Sequence, residues 1–207
     1  MASKLDAELV QAFRGGDKRA GAELTERYYT KVLHFCRSKA PSAAKDLTHD
    51  SFAACFAKLP SLREASAFRS FLFGIVCNKI RMHYRSRRVE GERLDFGTVS
   101  SVDLDPSPSR LVAERGEQRM LLEALRRIPL QFQIVLELHY WQELRVREIA
   151  AALDIPESTV KTRMRRARQL LEQALAKLEM PGNTLESTLS DLEGWARSIR
   201  EGVRLDS

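Results

Sequence analysis

The chain is short of the residues that signal catalysis, metal binding or passage through a membrane. Among its 207 residues are three cysteines, Cys36, Cys55 and Cys77, and four histidines, His34, His49, His83 and His139. An odd, unpaired set of cysteines in apolar helical contexts excludes a disulfide frame and a zinc site, and reads as reduced core thiols of a cytoplasmic protein. The histidines have no ligand spacing to cysteine or to one another, so no metal and no cofactor is expected. A Gly-rich phosphate loop and a Ser-His-Asp set are both missing, which argues against an enzyme. His49 beside Asp50 reads as a feature of a helix surface, since a dyad needs a pocket and perturbed neighbours. There is no run of about 18 apolar residues, and Met1-Ala2-Ser3-Lys4-Leu5-Asp6 has no secretory pattern, so no membrane insertion is expected. Strand signals are absent as well, and the expected fold is all-α.

What the chain does have is helical periodicity and positive charge. A net charge of +6 and a pI near 9.4 suit a DNA binder and fall short of a histone-like protein. Helical patterning covers about 5–14, 17–39, 43–58 and 65–88, with Gly15-Gly16-Asp17 as a stop followed by a cap. From Val89 the character changes. Five acidic residues (Glu90, Glu92, Asp95, Asp103, Asp105) stand against Arg93 alone, among Gly91, Gly97, Pro106, Pro108 and four serines. That is a linker by composition. Periodicity resumes at Leu111 and runs to Leu178, broken at Pro129 and at Asp154–Pro156. The reading is two small helical domains, 5–88 and 111–179, joined by a flexible linker at 89–110 and followed by an extension at 180–207. In that extension Leu185, Leu189, Leu192, Trp195 or Ala196, Ile199 and Val203 repeat at helical spacing, giving an amphipathic helix. It either folds back to modulate the other domains or simply caps the second one.

The most specific signal lies between Arg147 and Arg168. A short apolar helix, a turn at Asp154-Ile155-Pro156 and a basic helix follow one another, the plan of a helix-turn-helix. At about 100° per residue Val160, Met164, Ala167, Leu171 and Ala174 form one apolar stripe, fit to pack on Ile149, Ala150 and Leu153. The opposite face carries Ser158, Thr162, Arg165, Arg166 and Gln169, with Lys161 and Arg168 on one shoulder and Arg163 on the other. Arg forks onto guanine, Gln onto adenine, and shoulder cations suit phosphates. An ordinary solvated basic face is the bland reading. The turn and the matched apolar faces favour DNA.

A second basic run, Lys79, Arg81, Arg85, Arg87 and Arg88 with His83, contains no acid and follows the aromatic-rich stretch from Phe68 to Val76. Aromatic rings beside cations suit melted nucleic acid, because rings stack on bases while cations track the backbone. Any single phenylalanine at this spacing is more commonly core.

Three runs, in order, resemble a known family. Asp46-Leu47-Thr48-His49-Asp50-Ser51-Phe52 resembles an Asp-Leu-x-Gln-Glu-x-Phe helix. The stretch from Phe68 to Asn78 resembles Phe-x-x-Trp-Leu-x-x-Ile-Ala-x-Asn, and Glu148-Ile149-Ala150 with Thr159 to Arg168 resembles the helix-turn-helix of the same family. That family is the bacterial RNA polymerase sigma factors of the small, two-domain, extracytoplasmic-function (ECF) type. The resemblance implies an alternative sigma factor that docks Asp46, Leu47, His49, Asp50 and Phe52 on the clamp helices of the largest subunit of core RNA polymerase. It implies minus-ten promoter contacts at Leu62, Phe71, Asn78, Lys79, Arg81 and Arg85. Minus-thirty-five contacts would come from Ser158, Lys161, Thr162, Arg163, Arg165, Arg166 and Gln169. Of these the family's positions select Lys161, Thr162, Arg163 and Arg166, whereas the helical wheel favours Arg165 over Arg163; Arg166 satisfies both. Promoter DNA and an anti-sigma factor are further implied partners. His49-Asp50, Phe71, Met82, Leu62 and Arg145 depart from the usual residues at their positions. The alternative is a regulator of the response-regulator output type. It would need strands alternating with helices in 5–88, and none is patterned there.

Overall fold

Asp17 shows how local chemistry sets the helix boundaries. Gly16, at a φ of 97°, ends the first helix, and the Asp17 carboxylate then accepts the Arg19 N–H at 2.9 Å to open the second. The computed structural model describes residues 5–86, 95–105 and 116–178, together with Gly194. The readings of Arg87, Arg88, the linker acids Glu90 and Glu92 and the helix expected from Leu185 to Val203 lie outside the described residues.

The described residues form helices α1 (Asp6–Arg14), α2 (Lys18–Lys39), α3 (Ala44–Lys58) and α4 (Phe68–Ser86) in the first half. The short α5 (Ser101–Leu104) follows, and then α6 (Gly116–Arg127), α7 (Leu130–Tyr140), α8 (Val146–Leu153) and α9 (Glu157–Lys177). No strand occurs among them, so the all-α expectation holds, and residues 5–86 contain no strand-and-helix receiver. Helix α4 starts at Phe68 and not at 65, because Ala65–Ala67 is a 3₁₀ turn. The first half closes on Leu24, Val32, Phe35, Phe68, Leu72, Phe73 and Ile80, all fully buried or nearly so. Phe68 and Phe73 are therefore core residues, and only Phe71 of that aromatic run is half-buried.

In the second half the stripe expected on the basic helix is buried throughout: Val160, Met164, Ala167, Leu171 and Ala174. It meets Ile149, Ala150 and Leu153 of α8, which are also buried. Between them Asp154 takes a left-handed φ of 54°, tolerated by aspartate better than by most residues, and the Ile155 N–H bonds the Ala150 carbonyl at 3.1 Å. Arg145 supplies no cap for α8. Its own N–H is taken instead by Glu148 Oε2 at 2.7 Å.

The two halves are packed together. Helix α8 crosses α4 at Gly74, where an added Cβ would stand 2.8 Å from the Ala152 carbonyl oxygen. Nearby, Lys39 at the end of α2 and Glu137 of α7 form an ion pair of 2.5 Å, with the lysine side chain fully buried. The described part of the linker is pinned in the same region. Asp105 accepts from the Ser42 N–H (3.0 Å) and hydroxyl (2.7 Å), and Arg126 donates to the Asp105 carbonyl at 2.7 Å. Ser100, Ser101 and Asp105 are buried, so these residues do not behave as a solvated tether.

Candidate nucleic-acid interface

With its apolar stripe committed to the core, α9 turns a continuous polar face to solvent. Ser158, Lys161, Thr162, Arg165, Arg166 and Gln169 are all exposed. Within that face Arg166 Nη1 lies 3.4 Å from Gln169 Oε1, and the Thr162 hydroxyl donates to the Ser158 carbonyl at 3.0 Å. These side chains are weakly engaged and free to turn outward. Arg168 is not: it donates to the Tyr140 hydroxyl and lies 5.7 Å over that ring, which ties it to α7.

Arg163 sits apart from the others. It is half-buried, and loss of solvent together with the nearby Arg81 guanidinium pulls its pKa down. The helical wheel and the structure agree that Arg163 belongs to a shoulder, although the family resemblance puts it among the expected minus-thirty-five contact positions.

On the first half, Asn78 and Arg85 of α4 are exposed, while Phe71, Lys79 and Arg81 are half-buried. Lys79 pairs with Asp50 of α3 at 3.4 Å, linking the candidate minus-ten helix to the candidate docking helix. Leu62 lies in the loop between α3 and α4. That loop is held from α1, whose Arg14 donates to the carbonyl of Leu62 and, at 3.1 Å, to that of Leu59. Arg14 was not singled out by the sequence; its only signal is that it is the last basic residue before a helix stop.

Helix α3 divides its residues by face. Asp46, His49 and Asp50 are exposed, whereas Leu47 and Phe52 are 6% exposed and belong to the core. Phe52 stacks between Tyr29 and Phe56, each 6.3 Å away between ring centroids. Leu47 and Phe52 therefore mainly hold the helix in place, and offer a docked protein far less surface than Asp46, His49 and Asp50 do. His49 rests on Tyr29, its Nε2 3.4 Å from the phenol oxygen. No group of metal-binding side chains occurs among the described residues, and no described helix is long and apolar enough to cross a membrane.

Residues 24–90 match the family model described as Sigma-70 region 2, and residues 118–171 match that described as Sigma-70, region 4. The RNA polymerase sigma-H factor of Pseudomonas aeruginosa is 28% identical over 184 residues, covering 84% of this chain and 95% of the relative. The ECF RNA polymerase sigma-E factor of Haemophilus influenzae is 27% identical over 190 residues, 86% of this chain and 100% of the relative. Among solved structures, CnrH in complex with the cytosolic domain of CnrY shares the fold, with a TM-score of 0.59 at 22% identity over 83% of this chain and 97% of that one.

Proposed function

Because the chain belongs to the sigma-70 family, as an ECF sigma factor that binds core RNA polymerase and directs promoter-specific initiation, we propose that its two halves read the two ends of one promoter. The exposed face of α9 takes the minus-thirty-five element. Arg166 and Arg165 are placed for base edges, Lys161 for phosphate, and Ser158, Thr162 and Gln169 for shorter-range contacts to either. Arg163, on its shoulder, is assigned to phosphate. Helix α4 and the loop before it take the minus-ten element, with Leu62, Phe71 and Asn78 near a flipped or unstacked base and Lys79, Arg81 and Arg85 along the backbone. The docking surface on polymerase is the exposed side of α3, formed by Asp46, His49 and Asp50. The protein works in the cytoplasm, and an anti-sigma factor is its further partner by family resemblance.

One observation carries this division. The polar face of α9 stays in solvent while all five residues of its apolar stripe are buried, so the helix offers one continuous basic surface available for recognition. The test is transcription in vitro with core polymerase free of other sigma factors. Specific initiation together with co-purification of chain and core supports the reading. Strong binding of the isolated chain to duplex DNA without binding to core would reverse it in favour of a conventional regulator.

A further inference from the structure

One large apolar side chain stands in solvent on the helix assigned to the minus-ten element. Met82 is 63% exposed, and among the described residues only Leu5, the residue before α1, is a large hydrophobic left more open. A single exposed apolar residue is ordinary on a protein surface, so what matters is where this one lies. At about 100° per residue Phe71, Ile75, Asn78, Met82 and Arg85 fall within a stripe of α4 roughly 80° wide, with Lys79 and Arg81 on its two shoulders. Burial changes along that stripe. Phe71 and Ile75 are half-buried against the core, whereas Asn78, Met82 and Arg85 are exposed. Met82 is therefore the apolar centre of an otherwise polar surface.

The charge around it suits a polyanion. None of the 19 residues of α4 is acidic, while Arg69, Lys79, Arg81 and Arg85 are cationic. Asp50 of α3 offsets Lys79 at 3.4 Å, and Arg85 lies 5.9 Å from the centre of the Phe96 ring. Such a surface draws a nucleic-acid backbone towards it. Met82 also departs from the acid common at its position in ECF factors. An acid there would repel phosphate; a methionine instead offers an unbranched, polarizable side chain that adapts to a flat base. The spacing fits as well. Four residues of helix advance about 6 Å from Asn78 to Met82, a little under two base steps at roughly 3.4 Å each along a strand.

We propose that Met82 is an apolar wedge for the minus-ten element. Its side chain enters the base stack one to two steps from the base held near Asn78 and keeps the opened strands from closing again. The inference rests on the two-ended promoter reading and adds to it a residue that acts on strand separation. Apolar side chains of this size unstack base steps in other DNA-binding proteins, at a cost repaid by the contacts that follow. The requirement is for length and apolarity at this one position, with charge supplied by Arg81 and Arg85 beside it.

The test uses holoenzyme assembled from the full chain and sigma-free core polymerase. A promoter is first selected from a random-sequence duplex pool by transcription with the native holoenzyme. It is then prepared fully paired and with a mismatched minus-ten segment, each carrying a fluorescent purine analogue that brightens on unstacking. Met82→Ala, Met82→Gln and Met82→Leu are compared with the native chain, and melting temperature, expected to be nearly unchanged at so exposed a position, checks folding. Met82→Ala and Met82→Gln should open the paired promoter on the order of tenfold more slowly. Met82→Leu, of nearly equal volume, should stay close to native. All forms should match on the mismatched template. Equal opening of the paired promoter by every form overturns the wedge and leaves the promoter reading standing. An equal loss on both templates overturns it too, since Met82 would then contribute only to general affinity. If the native holoenzyme selects no promoter at all, the two-ended reading fails and the wedge falls with it.

Discussion

Arg166 is the residue on which the minus-thirty-five reading stands or falls. It projects from the exposed face of α9, where its contact among the described residues is Gln169, 3.4 Å away on the same helix. Removing it therefore costs the folded protein almost nothing, and any loss appears in DNA binding. A bidentate arginine–guanine contact discriminates by about 1–3 kcal/mol. At about 1.4 kcal/mol per factor of ten, that is a loss of roughly 5- to 150-fold on the preferred sequence. The assay is binding of holoenzyme to promoter DNA at several salt concentrations, with the upstream element intact or scrambled. For Arg166→Ala the loss should be confined to the intact element, with little change in the slope of log affinity against log salt. Arg166→Lys should behave as Arg166→Ala does, because it keeps the charge and loses the fork. Arg163→Ala, in contrast, should weaken intact and scrambled templates alike and lower the salt slope by about 0.9. If Arg166→Ala shows that uniform loss and the reduced slope, Arg166 is a phosphate contact and the assignment of the face is wrong.

Phe52→Ala should cost about 3–5 kcal/mol of stability, seen as a lowered melting temperature, because the ring is packed between Tyr29 and Phe56. Asp46→Ala and Asp50→Ala should leave melting nearly unchanged and weaken binding to core polymerase in a pull-down or titration. Arg14→Ala removes charge-assisted hydrogen bonds to the Leu59 and Leu62 carbonyls, worth about 1.5–3 kcal/mol each at most. Initiation should fall on duplex promoters and recover on templates with a pre-opened minus-ten bubble; loss on both would place Arg14 in general folding instead. Burial raises the thiol pKa of Cys36 and Cys55 to about 12 and of Cys77 to about 11, so none should react with a disulfide reagent at pH 8 until the chain unfolds. These are raised values of neutral groups, so their stabilising contribution is complete below the ordinary value of 9.0 and is lost between there and pH 11–12. Melting temperature should fall across that alkaline range.

What could be read from the sequence was what lies on one element. The stripe from Val160 to Ala174 is legible because a helix repeats every 3.6 residues, and the exposed face follows by subtraction. Helices α1 to α4 were expected to within about three residues for the same reason, and Asp17 announced itself as a cap. What could not be read depends on partners distant in the chain. Lys39 resembles any charged residue at a helix end, yet Glu137, 98 positions later, draws it fully inside. The acidic, serine-rich composition at 95–105 speaks for solvation, but Ser42 and Arg126 capture Asp105 and bury the segment. Leu47 and Phe52 sit within the candidate docking run and are buried beneath its exposed side. A motif records that residues act together, without saying which of them reach the surface.

Where the two halves meet, a polar network is set within a continuous apolar core. Burial lowers the pKa of Lys39, and Glu137, by its charge and its hydrogen bond, is the largest influence against that loss, ahead of Cys77 and Cys36. Such pairs come close to breaking even against apolar side chains of equal volume, although removing one partner costs about 3–5 kcal/mol. The Lys39–Glu137 pair therefore selects one packing geometry sharply while adding little to net stability.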